Sequence, residues 1–262
     1  MNNIGSLTKV STTSSITSLN KTMPTLAIYL DAPMQSWGAS SKFEYRETGA
    51  FPTKSALVGI LAAACGIDKH APDEAEKLAP LTALKLTVVK IEKPNLLTSR
   101  LTDFHTVGGG YDKKANLREK MSIPKKASGA PFGTVITRRS YLTDAAFVAL
   151  FEGDTTTLNK LQASLLDPVW GVWLGRKTCL PATPLTPTIG ETPQASIDSL
   201  CQTIPCLDSR PLKEFEYQTE VQPDETIEEG TFFQSDQPIA FGDHHGPVPT
   251  PYRSRGIIHH RP

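Results

Sequence analysis

Between the apolar run Leu26, Ile28, Leu30 and the segment "FPTKSALVGILAAACGI", the chain carries Met34, Gln35, Trp37, Lys42, Tyr45, Arg46, Lys54 and Ser55. Aromatic faces beside amide and cationic side chains suit single-stranded nucleic acid. A base stacked on an aromatic ring contributes roughly 1–3 kcal/mol, while Lys and Arg neutralise phosphate. Lys54 and Ser55 fall in the first turn of the following helix, where unpaired backbone N–H groups favour an anion. A lone tryptophan can equally be a core residue that covers a sheet edge, so Trp37 has two readings, contact or core. Its cationic neighbours favour contact.

A second set lies in "RLTDFHTVGGGYDKKANLREKMSIPKKASGAPFGTVITRR". Three consecutive glycines let backbone approach a ligand closely. Lys113, Lys114, Lys125 and Lys126 make this a basic arm, and Arg138 and Arg139 close it. The alternative is a loop whose charges are only solvated. Nothing here matches a Walker or dinucleotide fingerprint. His105, followed by Tyr111, Lys113 and Lys114, has the residue types of a metal-independent ribonuclease, although a structural histidine is the commoner outcome. In "WGVWLGRKTCLP", Arg176 and Lys177 follow a glycine and either grip a phosphate or cap a sheet end. Asp243, His244, His245, His259 and His260 bind a metal only if the fold brings them together. No metal or cofactor is expected, and no GxSxG, HExxH or paired-carboxylate site stands out.

These residues need a frame to position them. Leu26–Asp31 reads as a buried strand, and Phe51–Cys65 as a helix whose Leu57, Ile60, Leu61 and Ala64 share one face and which stops at Gly66. Leu84–Ile91 alternates like a strand, and Tyr141–Phe151 is another candidate. Thr156–Leu166 is a helix with Leu158, Leu161 and Leu165 on one face, ended by Asp167-Pro168. Trp170–Leu174 reads as a further strand. The order strand, helix, strand, strand, helix, strand is an α+β, ferredoxin-like arrangement: a four-stranded antiparallel sheet with two helices on one face. A long insertion, about residues 94–139, separates the second and third strands; loops of that length are functional or disordered. The proline-rich remainder, 185–262, reads as an irregular β-rich portion with strands at Leu212–Val221 and Tyr252–His259.

The 262 residues are 39% apolar, enough for one large domain or a compact domain with an appendage. The net charge is zero, but nine basic residues stand against three acidic ones from Arg100 to Arg139, and seven acidic residues with no basic one lie from Glu214 to Glu229. That asymmetry suggests one polyanion-facing side and a different opposite side. No window approaches a membrane span. Cys65, Cys179, Cys201 and Cys206 lack metal-ligand spacing and read as reduced thiols of a cytoplasmic protein. Residues 1–22, rich in Ser and Thr and without acids, read as a disordered leader, or as a start placed too early with Met23 as the natural beginning.

Taken in order, "LDAPMQSWG…TGAFPTKSALVGILAAACGI", "RLTDFHTVGG", "RRSYLTDAAFVALF" and "WLGRKTCLP" closely resemble the CasD family, the subunit of type I-E CRISPR Cascade complexes that holds the 5′ end of the guide RNA. The resemblance runs from about Met23 to Pro184 and resumes at "PYRSRGIIHH", which is similar to the family's closing basic strand and adds Arg253 and Arg255 to the candidate RNA contacts. It implies a RAMP-type (RRM-like) domain in residues 23–184 with the insertion as a thumb. It also implies binding of the crRNA 5′ handle, capping of the backbone-subunit filament, a neighbouring large PAM-recognising subunit, and target DNA met only indirectly. In this subtype a separate subunit cleaves the precursor RNA, so the resemblance implies a protein without catalytic activity. Related members that do cleave use Tyr, Lys and His, and here Lys113-Lys114 stand where a Lys-His pair would be. The competing functions are a metal-independent endoribonuclease that processes precursor crRNA and a protein–protein adaptor. The leader and the acidic, proline-rich stretch from Pro184 to Gln237 depart from the family pattern.

Overall fold

A computed structural model of the chain describes residues 23–38, 44–94, 96–107, 135–204, 207, 209–222, 225–242 and 252–262. The expectations for the leader, for Lys42, for Lys113 and Lys114 and for the Asp243–His245 cluster lie outside the described residues.

Strand β1 (Thr25–Asp31) is buried on both sides, which is why it reads as an unbroken apolar run. Its alternate residues serve two separate cores. Leu26, Ile28 and Leu30 face one core with Leu86, Val88, Phe147, Ala149 and Phe151, while Ala27 and Tyr29 face another with Val89, Val148 and Leu150. The first core is closed by helix α1 (Lys54–Ala64), through Leu57, Ile60 and Leu61, and by helix α3 (Thr155–Leu166), through Leu158, Leu161 and Leu165. A further helix, α2 (Glu74–Thr82), adds Leu78 and Leu81. The second core is closed by helix α4 (Pro193–Thr203), whose Ile197 and Leu200 meet Leu207 and Phe215. Each such aliphatic side chain removed from water contributes about 1.5–3 kcal/mol. Two helices on one face were expected. Among the described residues there are four, because both faces of the sheet are apolar and both must be covered.

The main sheet is antiparallel and seven-stranded, in the order β10-β11-β9-β4-β7-β1-β8. Its members are β4 (Lys85–Ile91), β7 (Ala146–Glu152), β8 (Thr188–Gly190), β9 (Tyr217–Val221), β10 (Phe232–Pro238) and β11 (Tyr252–His260) with β1. Here the sequence reading needs correction. Tyr141–Phe151 is not one strand: Asp144, at φ 54, breaks it, so β7 enters the main sheet while β6 (Val135–Thr143) belongs elsewhere. Trp170–Leu174 is loop, and the place beside β1 goes to β8 instead. The aromatic run misleads because Leu174 packs into the core as part of a loop: Ser36 donates its N–H to the Leu174 carbonyl. Gly175 (φ +103) permits this approach, since a Cβ there would lie 1.8 Å from the Ser36 carbonyl oxygen.

The C-terminal strands extend this sheet, with β9 pairing against β4 at Thr87↔Thr219, where the two hydroxyls are 2.7 Å apart. No helix among the described residues is long and apolar enough to cross a membrane.

The expected insertion begins and ends as a hairpin. Strand β5 (Ser99–Val107) pairs antiparallel with β6 along its whole length. The other edge of β6 takes two short strands, β2 (Met34–Gln35) antiparallel and β3 (Tyr45–Arg46) parallel. This small sheet stands on the loop between β1 and α1, the segment in which the first candidate residues lie.

Candidate nucleic-acid interface

The β1–α1 loop is held from within. Gln35, fully buried, donates from Nε2 to the Ala145 carbonyl at 2.7 Å and accepts at Oε1 the indole N–H of Trp37 at 3.0 Å. Trp37 is 0% exposed, its own N–H donating to Thr48 Oγ1 and its carbonyl accepting from Gly49. The contact reading of Trp37 and Gln35 is therefore corrected. The amide anchors the indole, and the pair builds the floor under the small sheet rather than its outer surface.

Lys54 is corrected in the same way. It is 1% exposed, and its Nζ lies 2.7 Å from each carboxylate oxygen of Glu220 on β9. Burial pushes the Lys54 ammonium below its usual range, against the opposing pull of Glu220. The anion that the helix N-terminus invites is present, but it comes from the chain itself. Asp236 on β10 accepts the Lys54 backbone N–H at Oδ2, 2.7 Å away. Arg255 closes the group with a two-pronged contact to Asp236, Nε to Oδ1 at 2.6 Å and Nη2 to Oδ2 at 2.9 Å. Lys54 and Arg255 thus tie α1 to the three C-terminal strands and face no solvent. Ser55, half-buried, has its Oγ 3.3 Å from Thr53 Oγ1 within the same first turn.

Of the remaining candidates, Tyr45, Arg46, His105, Arg138 and Arg139 do come together, on the small sheet. The register places Tyr45, Arg138 and Phe104 in one row across β3, β6 and β5. The Arg138 guanidinium carbon lies 5.3 Å from the Tyr45 ring centre and 5.5 Å from that of Phe104, and Nη1 donates to the Tyr45 hydroxyl at 3.2 Å. Tyr45 is 54% and Phe104 56% exposed, so large aromatic faces sit in water beside a cation. One residue along, Arg46 pairs with Arg139, whose Nε donates to Thr137 Oγ1 at 3.1 Å. Arg100, also exposed, lies on β5. His105 is half-exposed with Nδ1 3.7 Å from Asp103 Oδ2, too far for a hydrogen bond.

Arg176 serves this surface differently from the phosphate grip suggested by its sequence. Its guanidinium donates to the Ser140 carbonyl at 2.9 Å and to the Arg46 carbonyl at 2.7 Å, with the Tyr141 ring centre 4.7 Å away. It bridges β6 and β3 and so sets the spacing of the arginines they carry. Arg176→Lys keeps the charge but loses the fork that reaches both carbonyls. We expect that variant to bind nucleic acid several-fold more weakly in anisotropy titrations, and equal affinity would return Arg176 to the role of a simple phosphate cation. Lys177 lies over the Trp173 ring at 5.7 Å, on the adjoining loop. Arg253 is exposed but sits on β11 in the main sheet, opposite Gln237.

Phe104 is the residue that sequence reasoning missed. Its signal is present in "RLTDFHTV", where alternation sets a large aromatic on the same strand face as Thr102 and Thr106. Among the described residues no group of three or more His, Cys, Asp and Glu side chains is placed to hold a metal. His259 instead meets Glu216 at 3.0 Å, and His260 stacks on Tyr217 at 4.3 Å.

Known proteins resemble this chain in sequence and fold. Residues 25–257 match the model of the family described as CRISPR-associated protein (Cas_Cas5). Over 165 residues the chain is 32% identical to the CRISPR system Cascade subunit CasD of Escherichia coli (strain K12), across 61% of this chain and 68% of that protein. A chain of a solved CRISPR RNA-guided surveillance complex superposes with a TM-score of 0.62 at 26% identity, across 90% of this chain and 88% of that one. A crystallised Cas protein shares the fold, with a TM-score of 0.53 and 24% identity, over 90% of this chain and 93% of its own.

Proposed function

The chain belongs to the CRISPR-associated protein (Cas_Cas5) family and is a relative of CasD, and from that premise we propose that it is a non-catalytic subunit of a type I-E Cascade effector complex. In this reading it binds the 5′ handle of crRNA and caps the filament of backbone subunits, in the cytoplasm. The large PAM-recognising subunit lies nearby, and target DNA is met only through the assembled complex. The observation that carries the reading is the row of Tyr45, Arg138 and Phe104, with the exposed Arg100 on the same face of β5 and Arg46 and Arg139 on the other face of the small sheet. Cations hold phosphates, while exposed rings offer faces to unpaired bases, which is how single-stranded RNA is held. Strand order β4-β7-β1-β8, with α1 after β1 and α3 after β7, supports a ferredoxin-like RAMP domain. The β5–β6 hairpin is then the root of the thumb whose sequence carries Lys113 and Lys114.

The purified chain is expected to bind guide RNA bearing the handle with an affinity that falls linearly, in logarithms, as salt rises. Three or four arginine–phosphate contacts predict a slope of about −2 to −3, at about 0.7 per contact on a single strand. Lack of binding, or a slope near zero, would overturn the assignment. Incubation with repeat RNA in EDTA is expected to leave the RNA whole. A discrete product that disappears in His105→Ala would replace the non-catalytic reading with the endoribonuclease one.

A further inference from the structure

We propose that Phe104 is a base-stacking residue and that it forms, with Arg138 and Tyr45, a platform for one unpaired nucleotide of any base identity. The inference rests on the RNA-binding reading above and adds to it a residue and a mode of recognition.

Three features of the row support this. First, the register fixes the three residues as direct cross-strand neighbours, with Arg138 in the middle and the two rings on either side. Side chains opposite one another on a sheet lie about 4.5–5.5 Å apart at Cβ, so the row is a continuous strip. Second, the guanidinium is already placed before any ligand arrives: two rings at 5.3 and 5.5 Å flank it, and its Nη1 donates to the Tyr45 hydroxyl. A cation ordered in advance loses little rotamer freedom on binding. Third, Phe104 is 56% exposed although the chain has apolar cores on both faces of its main sheet to receive an aromatic ring. It has no polar tip to satisfy, so what it offers is a flat apolar face.

The strip also limits what it can recognise. The row holds no Asn, Gln, Asp or Glu for base-edge readout, and its one bidentate donor, the Arg138 guanidinium, is flanked by the two rings with Nη1 already donating to the Tyr45 hydroxyl. Its neighbours on the same strand faces are Thr102, Thr106, Ile136 and Ser140. A phenyl face accepts any base, because every base has a π-face, whereas a base inside a duplex has its faces covered. The ligand is therefore a single-stranded nucleotide whose phosphate reaches Arg138 while its base lies on Phe104.

The test uses the full chain and a fluorescein-labelled single-stranded RNA of about a dozen nucleotides, with 2-aminopurine substituted at one position at a time. Wild type is expected to quench 2-aminopurine at a limited set of positions. Phe104→Leu, which keeps apolar bulk but removes the ring, should abolish that quenching and weaken binding roughly 5- to 100-fold. Phe104→Tyr should retain both, which guards against a folding defect in the leucine variant. Annealing the strand to its complement should weaken binding to wild type and leave no difference between wild type and Phe104→Leu. Unchanged quenching and affinity in Phe104→Leu, with RNA still bound, would overturn the platform and leave the RNA-binding reading standing. If the unaltered chain binds no RNA at all, that reading falls and the platform falls with it.

Discussion

Lys54→Met is expected to lower the stability of the chain by about 3–5 kcal/mol, the usual consequence of leaving one member of a buried ion pair without its partner. Glu220 would then keep a carboxylate on β9 with its Lys54 contacts gone and only the Leu86 N–H still donating to it. For a chain of this size that loss corresponds to a fall in melting temperature of roughly 6–20 °C. Lys54→Met/Glu220→Gln should recover the larger part. The amide is neutral and its oxygen still accepts from Leu86, so no bare charge remains and the Leu86 N–H keeps its acceptor; the two N–H donors that the amide brings are the part not recovered. Thermal unfolding followed by circular dichroism measures both variants. A single variant that melts with wild type, but binds RNA poorly, would show that Lys54 leaves its pocket to hold phosphate.

Arg138→Glu/Arg139→Glu should act in the opposite way, costing about 10²-fold in RNA affinity while leaving the melting temperature close to wild type. Arg138 is exposed and Arg139 half-buried, and neither carries a load in the cores. Reversal removes two phosphate contacts and adds two repulsive charges, and it should flatten the salt slope by about 1.4, twice the value for one single-strand contact. Anisotropy titrations over a range of salt supply both numbers. Wild-type affinity in this variant would mean that the small sheet is not the RNA face. The pair of predictions separates two kinds of cation that look alike in the sequence, those that hold the molecule together and those that hold its ligand.

That separation follows the distance over which each interaction acts. The helices α1 and α3 were legible, because apolar residues at helical spacing report a buried face and Gly66 and Asp167-Pro168 mark the stops. Strands β1, β4 and β11 were legible from composition and alternation, within a residue or two at their ends. The break at Asp144 was not, since the apolar pattern continues through it, and neither was the helix α4, which closes a second core that an alternating strand does not announce. The family resemblance carried the reading from Met23 to Pro184, and the family match now spans residues 25–257.

The chain's local chemistry thus specified an α+β protein with a basic, aromatic segment and pointed to single-stranded nucleic acid, while the guide RNA came from the family resemblance. It left open which of those residues face the ligand. Lys54 and Glu220 are 166 positions apart, Gln35 and Ala145 110, and Arg255 needs Asp236 on the neighbouring strand. Burial of a charge or an indole is settled by such distant partners, because a polar group leaves water only where another group replaces its hydrogen bonds. The row of Tyr45, Arg138 and Phe104 arises in the same way, since cross-strand register and not spacing along the chain makes them neighbours.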